Sequence, residues 1–128
     1  MQTPSKSITE FLNEPYSLSQ EQIDFYQKNR FIKLKEVLNL ETIQFFNEAI
    51  SKQVNEMNQE QTALEDRTTY GKAFLQLFNL WTENSIIKEL IFSRRIAKIA
   101  SDLMEVKGVR LYHDQALFKE GGGGITPW

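Results

Sequence analysis

The stretch VRLYHDQALF, Val109 to Phe118, followed by KEGGGGITPW to Trp128, decides how the chain is read. Val109–Phe118 is the best strand candidate in the sequence. Alternation along it sets Leu111, His113, Gln115, Leu117 and Lys119 on one side and Tyr112, Asp114, Ala116 and Phe118 on the other. Gly121 to Gly124 reads as a flexible turn between two strands, because glycine accepts the positive φ of tight turns. The run lacks the G-x-x-x-x-G-K-[ST] pattern and no helical stretch follows it, which argues against a phosphate loop.

Toward the N-terminus, Gly108 is placed to stop a helix carrying Ile96, Ile99, Ala100 and Leu103. Ile86, Ile87, Leu90 and Ile91 form a second helical pattern, with Thr82 or Asn84 as its cap. Ser93 lies between the two, and one kinked helix or two short ones both fit. AFLQLFNLW, Ala73 to Trp81, is mostly apolar with Gln76 and Asn79 as interruptions, too short for periodicity to separate helix from strand. Asn58–Thr69 is polar and reads as a loop. Asn39 can cap a long helix whose Ile43, Phe46, Ile50, Val54 and Met57 are spaced 3, 4, 4 and 3 apart. Phe31–Leu34 reads as a short strand. Ser19 and Gln22 have capping-box spacing and open a helix to about Asn29, with Ile23 and Tyr26 inward. Residues 1–16, with Pro4 and Pro15, read as an irregular segment, and no internal repeat is present.

The chain has 128 residues, room for one domain at roughly 100–200 residues each. It has no cysteine, which excludes disulfides, thiolate metal sites and a cysteine nucleophile, and its one histidine excludes a site of several histidines from this chain. A net charge of −2 argues against nucleic acid as the main partner. No apolar run approaches the ~20 residues of a membrane helix, and Met1–Glu10 lacks the apolar core of a signal peptide. No membrane association and a cytoplasmic location are the default expectations.

Few residues announce chemistry. His113 and Asp114 are adjacent and would point to opposite faces of a strand, so they do not converge on one metal. Arg94, Arg95 and Lys98, with Lys88 upstream, read as a solvated basic helix face. Glu65 and Asp66 have nothing nearby to bury or tune them as a catalytic pair. Phe74, Phe78 and Trp81 read as core in preference to a binding platform. Gln76 and Gln115 are amides inside apolar elements and must find partners if buried, which points weakly to a pocket that orients something polar.

Three separated segments in matching order, FYQKNRFIKLKEVL (Phe25–Leu38), YGKAFLQLFNLW (Tyr70–Trp81) and LYHDQALFKEGGGGITPW (Leu111–Trp128), carry a resemblance. Together they resemble the phytanoyl-CoA dioxygenase family of iron(II)- and 2-oxoglutarate-dependent oxygenases, over most of residues 17–128. The resemblance implies an α+β fold: N-terminal helices plus the first strands of a double-stranded β-helix (jelly-roll), incomplete. In that family a His-x-Asp motif supplying two iron ligands follows a segment like Gly-Gly-Ile-Thr-Pro-Trp, with the second histidine and the 2-oxoglutarate arginine further downstream. The chain is therefore expected to be an N-terminal portion ending just before the motif. No catalytic or metal-ligating residue carries over, and His113 does not substitute for one.

By the same resemblance, Gln76 and Gln115 would face the 2-oxoglutarate pocket, and Phe74, Asn79 and Trp81 the small-molecule substrate; strand parity alone places Lys119 on the side of Gln115, at the rim of that pocket. Fe(II) and 2-oxoglutarate serve the intact family, and neither is expected to bind this portion firmly or to make it active alone. Unpaired strand edges make self-association or aggregation an expectation. The alternatives are a stand-alone, non-catalytic interaction module using its helices and aromatic segment, and a pseudo-enzyme subunit completed by another chain.

Overall fold

A computed structural model describes residues 3–59 and 62–126. The architecture is α+β, helices backing a two-stranded sheet. The helices are α1 Lys6–Asn13, α2 Gln20–Asn29, α3 Leu40–Met57, α4 Thr69–Ala73, α5 Leu80–Glu83, α6 Ser85–Ile91 and α7 Arg94–Met104. Strands β1, Leu75–Phe78, and β2, Gln115–Phe118, pair antiparallel, with Leu75 opposite Phe118 and Phe78 opposite Gln115. Among the described residues, no helix is long and apolar enough to cross a membrane.

Side-chain caps set most of the helix starts. Ser19 and Gln22 close the expected capping box, the Gln22 N–H donating to Ser19 Oγ at 3.2 Å and the Ser19 N–H to Gln22 Oε1 at 2.9 Å. Asn39 accepts from the Thr42 N–H at 2.9 Å, and Ser93 from the Ile96 N–H at 3.4 Å. Asn84 caps α6 through the Ile86 and Ile87 amides, at 3.0 and 3.3 Å. Its own amide donates to Gln53 Oε1 at 3.0 Å, joining α6 to α3 through two buried amides. Two short helices, not one kinked helix, therefore flank Ser93.

Local reading fails where a distant partner decides. The segment expected to be irregular carries α1, capped by Ser5, with Pro4 and Pro15 outside it. Ile8 and Leu12, one turn apart, are buried with Phe46, Ile86 and Leu90. Phe31–Leu34 is not a strand: β1 and β2 form the one ladder among the described residues, and Phe31 packs edge-on against Phe25 at 5.7 Å. Ile43 is 48% exposed and Thr42 fully buried, so the inner stripe of α3 enters one residue earlier than its apolar pattern suggests. The polar stretch before α4 contains a 3-10 turn at Leu64–Asp66. Helix α7 stops at Met104, not at Gly108. Glu105 takes φ 53° and the Val106 N–H closes the end on the Ser101 carbonyl at 3.0 Å. Of the long strand candidate only Gln115–Phe118 pairs.

The largest departure is Arg95, expected on a solvated face and instead 8% exposed. Its Nε donates to the Val37 carbonyl at 2.6 Å, and its Nη1 to the Glu14 and Pro15 carbonyls at 3.1 and 3.3 Å. The guanidinium lies 4.3 Å from the Phe11 ring centroid and 5.4 Å from that of Tyr16. Arg94 and Lys98 remain exposed, and Lys98 pairs with Asp102 at 2.6 Å. Lysine cannot reproduce a planar fork that serves three carbonyls and stacks on rings. Arg95→Lys is therefore expected to destabilise the fold by about 2–3 kcal/mol, read as a lower urea midpoint with unchanged slope. A midpoint equal to that of the parent chain would refute the clamp.

Candidate functional site

The β1–β2 pair has one covered and one open face. Alternation sends Leu75, Leu77 and Ala116 onto the cluster of Val54, Leu80 and Ile87, which is the helical side. Gln76, Phe78, Gln115 and Leu117 are left on the opposite face, with Gln76 beside Leu117 and Phe78 beside Gln115. Phe78 is 49% and Leu117 50% exposed, so Phe78 is not the core residue its aromatic run suggests.

Four of the six candidate residues gather on this face. The Gln76 amide donates to the Tyr70 hydroxyl. Gln115 is exposed across from Phe78. Lys119, one step past β2, donates to Thr126 Oγ1 at 2.9 Å and lies 5.4 Å from the Phe74 ring centroid. Asn79 stands at the end of the face, with φ 57° and ψ 41°, where it turns β1 into α5. Trp81 is elsewhere, on α5, against Phe92 at 5.3 Å and under Lys88 at 5.5 Å.

Asp114 holds the Asn79 corner. Its carbonyl accepts from the Asn79 N–H at 2.9 Å, and its carboxylate from the Leu80 and Trp81 amides at 3.0 and 3.4 Å. This is an N-terminal cap supplied from another part of the chain, and no local pattern announces it. His113 packs between aromatic rings, 5.6 Å from Phe78 and 4.9 Å from Tyr112. Among the described residues, no group of three or more His, Cys, Asp or Glu side chains is placed to hold a metal ion.

Two hollows border the sheet. One, of about 350 Å³, is lined by Ile50, Leu80, Ile87 and Ile91, with His113 and Gln115 also on its wall. The other, of about 520 Å³, lies beside β1 and includes Arg67, Tyr70, Phe74 and Gln76. Arg67 and Tyr70 were not singled out by sequence reasoning. Tyr70 precedes Gln76 by six residues, and Arg67 acquires its role through Glu120 in the distant glycine-rich segment.

That segment is not a turn between two strands within the described residues. It folds back on α4. Gly122 and Gly124 take φ of 80° and 79°. Gly123 is buried, and a Cβ on it would sit 2.0 Å from the Lys72 carbonyl oxygen. Gly123→Ala is expected to cost about 1–3 kcal/mol by forcing backbone apart, whereas Gly121→Ala, with nothing within 4 Å, stays within about 0.5 kcal/mol of the parent. Thermal melts of the two variants side by side test this, and equal melting temperatures would contradict the close approach. Compared with known proteins, the chain matches no family model, no curated protein and no solved structure.

Proposed function

We propose that the chain is the N-terminal portion of an iron(II)- and 2-oxoglutarate-dependent oxygenase resembling the phytanoyl-CoA dioxygenases, which hydroxylates a small organic substrate. This portion supplies the helical layer and one pocket wall of an incomplete jelly-roll. The iron ligands belong to a part beyond Trp128. The observation that supports the reading is the placement of Gln76 and Gln115. Both amides stand on the sheet face that the helices leave open, flanked by Phe74 and Lys119. A pocket that orients a polar cofactor and an organic substrate needs such a mixture of amide, cation and ring. The protein's share of the chemistry is to orient those two molecules and to exclude water from them.

Half-exposed Phe78 and Leu117 on the same face favour a second reading, an interaction module that docks a partner there. Full burial of either side chain is worth about 1.5–3 kcal/mol, so both readings make this face seek a cover.

The first reading is tested at the coding sequence downstream of Trp128. An in-frame His-x-Asp directly after it is the expected result, and unrelated sequence would contradict the oxygenase reading. The 128-residue chain by itself is expected to form no succinate from 2-oxoglutarate above a metal-free control. Iron-dependent succinate from it would overturn the placement of the ligands outside these residues. Self-association in size-exclusion chromatography is expected, whereas a sharp monomer with one cooperative melt would count against an open apolar face.

A further inference from the structure

We propose that the groove beside β1 is a carboxylate-binding site, and that Glu120 engages its arginine as an internal competitor. The groove holds about 520 Å³, with Phe74 and Leu77 on its apolar wall and Arg67, Tyr70 and Gln76 as polar groups. Arg67 Nη1 donates to Glu120 Oε2. Its Nε donates to the Thr62 carbonyl at 2.9 Å, which fixes the plane of the guanidinium. These bonds use two of five donors, and the fork of an arginine matches the two oxygens of a carboxylate.

This ion pair differs from the others described. The Arg67 side chain is 13% exposed, against 56–89% for the lysines paired with Glu10, Glu56 and Asp102. Enclosure raises the value of a charge-assisted bond, since water competes less for it. The Tyr70 oxygen accepts from Gln76, so its own O–H is free to donate to an incoming oxygen. The site thus offers a guanidinium and a hydroxyl to an anion, and rings and aliphatic carbons to whatever carries it.

Glu120 is tethered so that it can leave. The next four residues are glycine, and a Cβ at Gly121 or Gly124 would meet nothing within 4 Å. Rotation about the Glu120 side-chain torsions withdraws the carboxylate without breaking the β1–β2 ladder, and the glycines that follow let the strap adjust. Gly123, wedged against Lys72, returns it to the same place. A small carboxylate entering the groove competes with Glu120 for Arg67 and releases the glycine-rich strap. This inference stands on Arg67, Tyr70 and Glu120, and its outcome is independent of the oxygenase reading.

The test is a titration of the ¹⁵N-labelled full chain with sodium acetate, balanced by sodium chloride at constant ionic strength. The readouts are the amide signals of Gly121–Gly124 and the Arg67 Nε–H. Saturable shifts confined to these signals are expected. Glu120→Gln removes the charge of the internal competitor, and acetate should then bind about tenfold more tightly or better. Arg67→Gln should abolish saturation. Unsaturable shifts in the parent chain, or an affinity in Glu120→Gln no tighter than in the parent, would overturn the proposal. If Arg67→Gln fails to fold, as judged by its amide dispersion, the Glu120→Gln comparison alone decides.

Discussion

A buried guanidinium is costly unless its donors are met. Arg95 meets that cost with backbone carbonyls from two linkers, one between α1 and α2 and one leading into α3. Those linkers carry no secondary structure that would fix them. The arginine gives them a common anchor on α7, and the rings of Phe11 and Tyr16 close over it. The N-terminal helices are thereby tied to α7, and through Ile8, Leu12 and Phe46 to α6.

With the helical layer so assembled, the sheet has one face spoken for. Leu75, Leu77 and Ala116 are drawn onto Val54, Leu80 and Ile87, and pleating then turns Gln76, Gln115 and Leu117 outward. The corner that keeps the two strands in register is polar. Asp114 caps α5 from the strand side, and Asn79 takes the left-handed conformation that an asparagine tolerates better than most residues. At the other end, the glycine-rich strap is held on α4 by the Arg67–Glu120 pair and by the close approach of Gly123 to Lys72.

Features that depend on neighbours in sequence were legible. The Ser19 box and the Asn39 cap follow from side chains within three residues of the amides they serve. The parity that unites Gln115 with Lys119 needed only the period of a strand, and the pairing register then set Gln76 on the same face. What could not be read depends on long-range partners. Arg95 looks like Arg94 until carbonyls some 80 positions away surround it. Phe31–Leu34 has strand composition and, among the described residues, no strand to pair with. The glycine run announces freedom of φ, yet Gly123 is needed for the space it leaves to a backbone oxygen. Trp81 lies close in sequence to Gln76 and apart from it in space, because Asn79 turns the chain between them.

The sheet hides one face against the helices and exposes the other, the one carrying Gln76 and Gln115. The chain has no cysteine, so a single introduced thiol reports its own surroundings. The most direct measurement is the rate of thiol labelling in Gln115→Cys, Ala116→Cys and Leu117→Cys. Positions 115 and 117 should react rapidly and position 116 much more slowly, since thiol reactivity follows access. Equal rates at the three positions, or a fast 116 between slow neighbours, would contradict the two-faced sheet on which the proposed site is built.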